Sequence, residues 1–356
     1  MTQPSCLERW ANPLLAFAVT VACISPFPDG AMAPRWAILS LSPLIALRMG
    51  DTLAPVSIIA ILYLALTLLW SPDRFMGAYL LWHFIVLAVI VSRETRDLES
   101  VFWAIGLGLA INTVFVIMQI DGLNPVNGTP GLASPGLFFN RNQQNCFVAL
   151  AIVGLLSIRD WRAFCLAIFV SLPLWTSPIQ RAPLIGLAAA GAFLFIRRWP
   201  LMLPACVILI VGMVFNLVSE PARFTGVLMR VETWARMSEG LTFFGHGIGS
   251  FYWASPFMEY AHNDLLQIAY EFGVPGFLAA LAFLCYCLVS GPIVPRLILV
   301  VFAVEGLFDF PLYQPASAFL AAMAAGHIIH ARARLRRPFP DSQRLRILWP
   351  HVFGLP

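Results

Sequence analysis

Apolar runs separated by short polar breaks fill nearly the whole chain. They fall near 11–27, 36–49, 52–70, 75–92, 101–120, 146–157, 162–177, 182–196, 201–218, 265–290, 297–310 and 316–330. Runs of this length predict helices, and about 20 apolar residues are needed to cross a bilayer. Several runs are shorter, so neighbouring ones are expected to tilt or break. The pattern predicts an all-α polytopic membrane protein with about twelve spans. Residues 1–330 form a single domain and 331–356 a basic tail. Two long connections interrupt the runs, at 121–145 and at 219–262, and the second is the largest polar segment.

Composition agrees with this reading. The chain of 356 residues is 60% hydrophobic and 11% charged, with a mean hydropathy of +0.81. A soluble domain is about 45–50% apolar and about 25% charged. The first run is expected to be retained, because the small-residue site Ala31-Met32-Ala33 is followed at once by Pro34. The seven cysteines form no CxxC pair, so neither a disulfide framework nor a zinc site is expected. No nucleotide fingerprint stands out, and nucleic acid is not an expected partner. All 22 basic residues are arginine, so any anion site must use arginine, histidine or backbone groups.

Arginine placement sets the expected orientation. With the N-terminus inside, fifteen arginines fall on the inner side, six of them in the tail, and seven fall outside. Both termini are therefore expected in the cytoplasm, and both long connections outside. Taken singly, each of the seven, Arg35 included, reads as readily as an interfacial or headgroup-paired arginine as it does as part of a functional set.

The outer face gathers the polar chemistry. It carries Asn140, Arg141 and Asn142 in LFFNRNQQN, Arg181 in TSPIQRAP, and Arg230, Trp234 and Arg236 in LMRVETWARM. FFGHGIGSFYW and YAHNDLLQIAYEFGVPG follow. In the last stretch Asp264, Gln267 and Glu271 share one helical face at i, i+3 and i+7. The spacing predicts an amphipathic helix at the interface, capped by Asp264 with Gln267 and broken by Gly273, Pro275 and Gly276. His262 stands just before it. Taken singly these residues have ordinary readings. A lone histidine is more often structural than catalytic, and Glu271 can simply complement a helix dipole. His246, in its glycine turn, reads as loop surface, and His83 as a packed mid-span contact. Glu305 and Asp309 are costly to hold in a membrane and are expected to face the bundle interior as structural partners or pathway residues. No carboxylate pair or His/Cys cluster on this face has ligand spacing, so no metal or cofactor is expected.

The order of these pieces resembles the bacterial O-antigen ligase and O-antigen polymerase family of integral-membrane glycosyltransferases. The resemblance covers roughly 138–325 and is densest over 227–276. It rests on FFNRNQQN, QRAPLIGLAAAG, RVETW, GHGIGSFY, HNDLL, EFGVPG and FDFPLYQP, in that order. The family often has Ser-Arg-Gly where this chain has Gln180-Arg181-Ala182 followed by Pro183. The resemblance implies a bacterial inner-membrane enzyme with one large periplasmic loop carrying short interfacial helices. It would transfer a glycan from an undecaprenyl-diphosphate carrier to a hydroxyl of a glycan or lipid A-core acceptor. It implies His262 as the catalytic group and Arg181 and Arg230 as diphosphate ligands. Asn140, Asn142, Asn263, Glu271 and Trp234 would support them. Ligation is favoured over polymerisation within the family. A different class, a polysaccharide or lipid transporter or flippase, would call for charged residues and broken helices at mid-membrane. The mid-span regions here are nearly charge-free. A structural or assembly protein without chemistry is the third reading.

Overall fold

The structure is a computed structural model and describes residues 6–22, 32–43, 55–93, 97–123, 136–138, 141–176, 182–195, 224–254, 260–289 and 291–336. Every regular element among these residues is helical. They are α1 (Cys6–Val21), α2 (Met32–Leu39), α3 (Pro55–Thr67) with a 3₁₀ turn at Leu68–Trp70, α4 (Arg74–Ser92), α5 (Leu98–Ile120), α6 (Arg141–Ser157) and α7 (Trp161–Thr176). They continue with α8 (Ala182–Phe195), α9 (Phe224–Glu239), α10 (Phe251–Ala254), α11 (Asp264–Val289), α12 (Ile293–Glu305) and α13 (Pro315–Arg336). Three of them, α4, α5 and α11, are long and apolar enough to cross a membrane. Shorter apolar helices lie at Trp10–Val21, Ser57–Trp70, Trp161–Trp175 and Ala182–Phe193. The run at 201–218 lies outside the described residues, as do Asn140 and Arg181.

Local chemistry explains the helix starts. Asp73 accepts from the Phe75 and Met76 amides at 2.9 Å, ending the turn before α4. Asp97 caps α5 through the Ser100 amide at 3.0 Å. The core forms where α6 and α12 meet α5, α7, α8 and α13. Small residues set the helix separation, as is usual where lipid supplies no hydrophobic drive between helices. A Cβ on Gly186 of α8 would sit 3.0 Å from Val301 of α12, and one on Gly154 of α6 would overlap the Phe102 ring of α5.

Three expectations need correction. The polar stretch before 146 is not all loop. Arg141–Asn145 is the first turn of α6, and Gln143, Gln144 and Asn145 are buried. Arg35 is not at a headgroup surface. It is buried, donating from Nε to Val19 O and from Nη2 to Leu137 O, each at 2.9 Å, with its guanidinium 4.1 Å above Phe138. Asn112 and Gln119 of α5 hold the same short segment, through the Leu137 amide at 2.6 Å and the Gly136 amide at 2.8 Å. Arg35 is thus a staple between α1, α2 and residues 136–138. The polar face of Asp264, Gln267 and Glu271 is buried rather than laid on the interface. His83 meets its expectation: its ring stacks on Trp36 at 3.9 Å, with Tyr79 edge-on at 4.1 Å.

Candidate functional site

The site lies where α11 starts, α12 ends and α13 begins. The chain turns sharply at His262, whose φ of 50° makes it the one non-glycine residue with positive φ among those described. Histidine tolerates this left-handed region better than most residues do. Asn263 follows, and its Oδ1 accepts from the Leu266 amide at 3.0 Å, so the cap of α11 is Asn263 rather than Asp264 with Gln267. Asp264 is buried and serves elsewhere. Its amide donates to Gly306 O at 2.7 Å, and its Oδ2 accepts from the Leu312 amide at 2.9 Å. These bonds draw the 306–312 turn against the head of α11.

The turn brings Asp309 to His262. Asp309 Oδ1 lies 3.0 Å from His262 Nδ1 and also accepts from the Phe310 amide at 3.0 Å. The Phe310 ring stands edge-on to the imidazole at 5.0 Å, and Tyr260 stacks on its face at 4.3 Å. The imidazole is 22% exposed and the carboxylate 6%. This is the geometry of a histidine held in one tautomer. With Nδ1–H donating to the carboxylate, Nε2 is the ring nitrogen left to accept a hydrogen bond.

Helix α9 holds both sides of the pair with two residues four apart. Trp234 Nε1 donates to Ala261 O at 2.7 Å, one residue before His262. Arg230 Nη1 donates to Phe308 O at 2.6 Å, one residue before Asp309. An i, i+4 pair lies on one helical face, so a single helix fixes the two chain segments that carry the pair. Arg230 is partly exposed and commits one of the five guanidinium donors to this carbonyl.

Glu271 has a different task from a site carboxylate. It is fully buried, accepting from Gln267 Nε2 at 3.2 Å, from the Tyr313 hydroxyl at 3.3 Å, and from the Gly249 and Phe251 amides. Burial, reinforced by the nearby Glu271 carboxylate, pushes the Tyr313 phenol well above its usual range, so it stays a donor. Gln267 Oε1 in turn accepts from the Ala261 amide at 3.1 Å. Glu271 therefore ties the glycine loop at 245–251 to α11, and Gln267 carries the link to the residue before His262.

The glycine loop also docks on the backbone of α11. His246 N donates to Tyr270 O and Gly247 N to Glu271 O, each at 2.9 Å. His246 is not loop surface: its ring stacks on Tyr270 at 4.4 Å, and Nε2 meets Gly240 O at 2.7 Å. At Gly273 the helix breaks, with φ 66° and ψ −167°. A Cβ there would collide with Phe243 O, which explains why glycine stands at that position.

Of the eight residues singled out from sequence, the structure brings four together: His262, Asn263, Arg230 and Trp234. Asn142 lies in the first turn of α6, partly buried and with partners of its own. Asn140 and Arg181 lie outside the described residues. Asp309 was not among the eight. The sequence marks it only as an acid expected to face the bundle interior, with no spacing to relate it to a histidine 47 positions earlier. Among the described residues no three His, Cys, Asp or Glu side chains converge as metal ligands. No protein-family model matches the chain, and no curated protein matches it either.

Proposed function

We propose that the protein is an inner-membrane glycosyltransferase that moves a glycan from an undecaprenyl-diphosphate carrier onto an acceptor hydroxyl at the periplasmic face. The observation that carries this reading is the His262–Asp309 pair at 3.0 Å, braced by Arg230 and Trp234 at one end of an apolar helical bundle. The resemblance in residue order supplies the substrate class.

In this reading His262 Nε2 takes the proton of the acceptor hydroxyl as its oxygen attacks the anomeric carbon. The bond from that carbon to the diphosphate oxygen breaks, and the carrier diphosphate leaves with the electron pair. Asp309 keeps Nδ1 protonated and stabilises the imidazolium that forms. Arg230, beside the dyad, meets the growing charge on the diphosphate with a planar donor set that stays protonated. Preorganised charge of this kind is usually the largest catalytic contribution. Arg181 is the second diphosphate ligand that the resemblance implies. The site's place at the head of α11 suits a donor whose polyprenyl tail remains in lipid while its head group emerges.

The test is His262→Ala beside His246→Ala in a transfer assay on purified protein with carrier-linked glycan. His262→Ala is expected to lose roughly 10²–10⁴-fold in rate, the range for removing a general base. His246→Ala should melt earlier, because it loses its bond to Gly240 O, yet turn over at near wild-type rate once folded. The reverse pattern would discard the assignment. Deletion in the native host separates ligase from polymerase. Uncapped lipopolysaccharide with intact carrier-linked polymer marks a ligase, and single-repeat capping marks a polymerase.

A further inference from the structure

Four consecutive residues between α9 and the glycine loop are exposed: Leu241, Thr242, Phe243 and Phe244. Phe243 and Phe244 are 60% and 63% exposed and pack edge-to-face at 5.0 Å, and Leu241 is 43% exposed. Such a compact apolar tip is unusual on a surface facing water. It differs from the outward side of α9 just before it, where Glu232 and Arg236 form an exposed ion pair at 2.6 Å.

The tip is fixed at one level of the bundle. Phe243 O accepts from the Val274 amide at 2.9 Å. Val274 is the first residue after the break in α11, and from there exposed Val274, Leu278 and Leu281 form an apolar stripe along a helix long enough to cross a membrane. On the other side, Tyr63 of α3 donates to Phe272 O at 2.6 Å. α3 carries a matching exposed stripe of Ile59, Leu62 and Leu66, extended by Leu69 in the 3₁₀ turn. Phe243 and Phe244 thus lie beside the start of the exposed apolar stripe of α11, at the level where that helix changes from a buried polar face to an exposed apolar one.

We propose that Leu241, Phe243 and Phe244 form a membrane anchor that inserts into the boundary between headgroups and acyl chains of the phospholipid bilayer. Aromatic and leucine side chains are the residues that bury at this depth, about 5–10 Å into the boundary. The polar side of α9 then faces the headgroups and water. The anchor holds down the loop whose Gly245–Ser250 segment docks on α11, so it fixes the height of the dyad above the bilayer. The inference stands on the apolar surface alone and does not depend on the glycosyltransferase reading.

The test places photoreactive benzoylphenylalanine at 243, at 244 and, as an independent position, at 241. The control carries it at Glu232, on the polar side of α9. Full-length protein is reconstituted in phosphatidylethanolamine–phosphatidylglycerol vesicles, irradiated, digested and analysed by mass spectrometry. Phospholipid adducts on the 241–244 peptide, well above those at 232, are the expected result. Equal lipid adducts at 232 would overturn the proposal. So would cross-linked dimers without lipid adducts, which would assign the tip to a second copy of the chain. Cross-links confined to the same chain would overturn it as well.

Discussion

Replacing Asp309 with asparagine tests the dyad more finely than removing the histidine. Asparagine keeps the shape and retains an oxygen for the Phe310 amide, which Asp309 Oδ1 now accepts at 3.0 Å. It removes the charge that faces His262 Nδ1 at 3.0 Å. If the amide group instead turns its NH₂ to the ring, the Phe310 amide loses that acceptor, Nδ1 becomes the acceptor and Nε2 carries the proton, the tautomer that cannot act as base. A hydrogen bond to a charged group contributes about 1.5–3 kcal/mol, and about 1.4 kcal/mol is tenfold in rate. The loss expected from charge alone is therefore roughly 10- to 150-fold. The imidazole is 22% exposed, so solvent screens part of the interaction and the lower half of that range applies. A tautomer exchange adds to it. The assay is the rate of glycan transfer at saturating donor, with KM for the carrier-linked glycan measured in parallel. KM should change little, because Asp309 does not face the diphosphate in the proposed arrangement. Thermal unfolding in detergent checks the fold. An Asp309→Asn protein within twofold of wild type, alongside an inactive His262→Ala, would refute the positioning role.

Two other substitutions probe the site's surroundings. Arg230→Lys is expected to lose most of its transfer rate at unchanged expression, since an ammonium cannot hold Phe308 O and present a bidentate fork as well; a near wild-type rate would reduce Arg230 to a backbone clamp. Gly273→Ala should lower the melting temperature far more than Gly122→Ala. At Gly273 a Cβ meets Phe243 O and the Gly245 amide in a conformation nearly restricted to glycine, whereas at Gly122, φ 81°, nothing lies within 4 Å and only the backbone cost of about 1–2 kcal/mol remains.

Much of this molecule is legible from its sequence because the bilayer leaves few solutions. Backbone polar groups in lipid must be satisfied within the segment, so long apolar runs become helices. The runs around 75–92, 101–120 and 265–290 accordingly appear as α4, α5 and α11. The break at Gly273 was equally readable, because glycine beside Val-Pro-Gly leaves little else for the chain to do. The candidacy of His262 rested instead on the resemblance in residue order, since a lone histidine before a helix reads more often as structural. Other features depended on contacts that no local pattern encodes. Asp264, Gln267 and Glu271 lie on one face in either reading, and periodicity cannot say whether that face meets headgroups or the interior. Bonds donated by Leu312 and Tyr313, and the Asp264 amide's own bond to Gly306 O, hold it inward. Arg35 read as an interfacial arginine until Val19 and Leu137 brought their carbonyls to it across sequence gaps of 16 and 102 residues. Asp309 was legible as a buried acid and illegible as the partner of His262. Their meeting requires the end of α12 to fold over the head of α11, and α9, which lies earlier in the chain than either, to clamp both. A side-chain pairing across 47 residues arises from how the helices pack, and packing depends on the complementary surfaces of several elements at once.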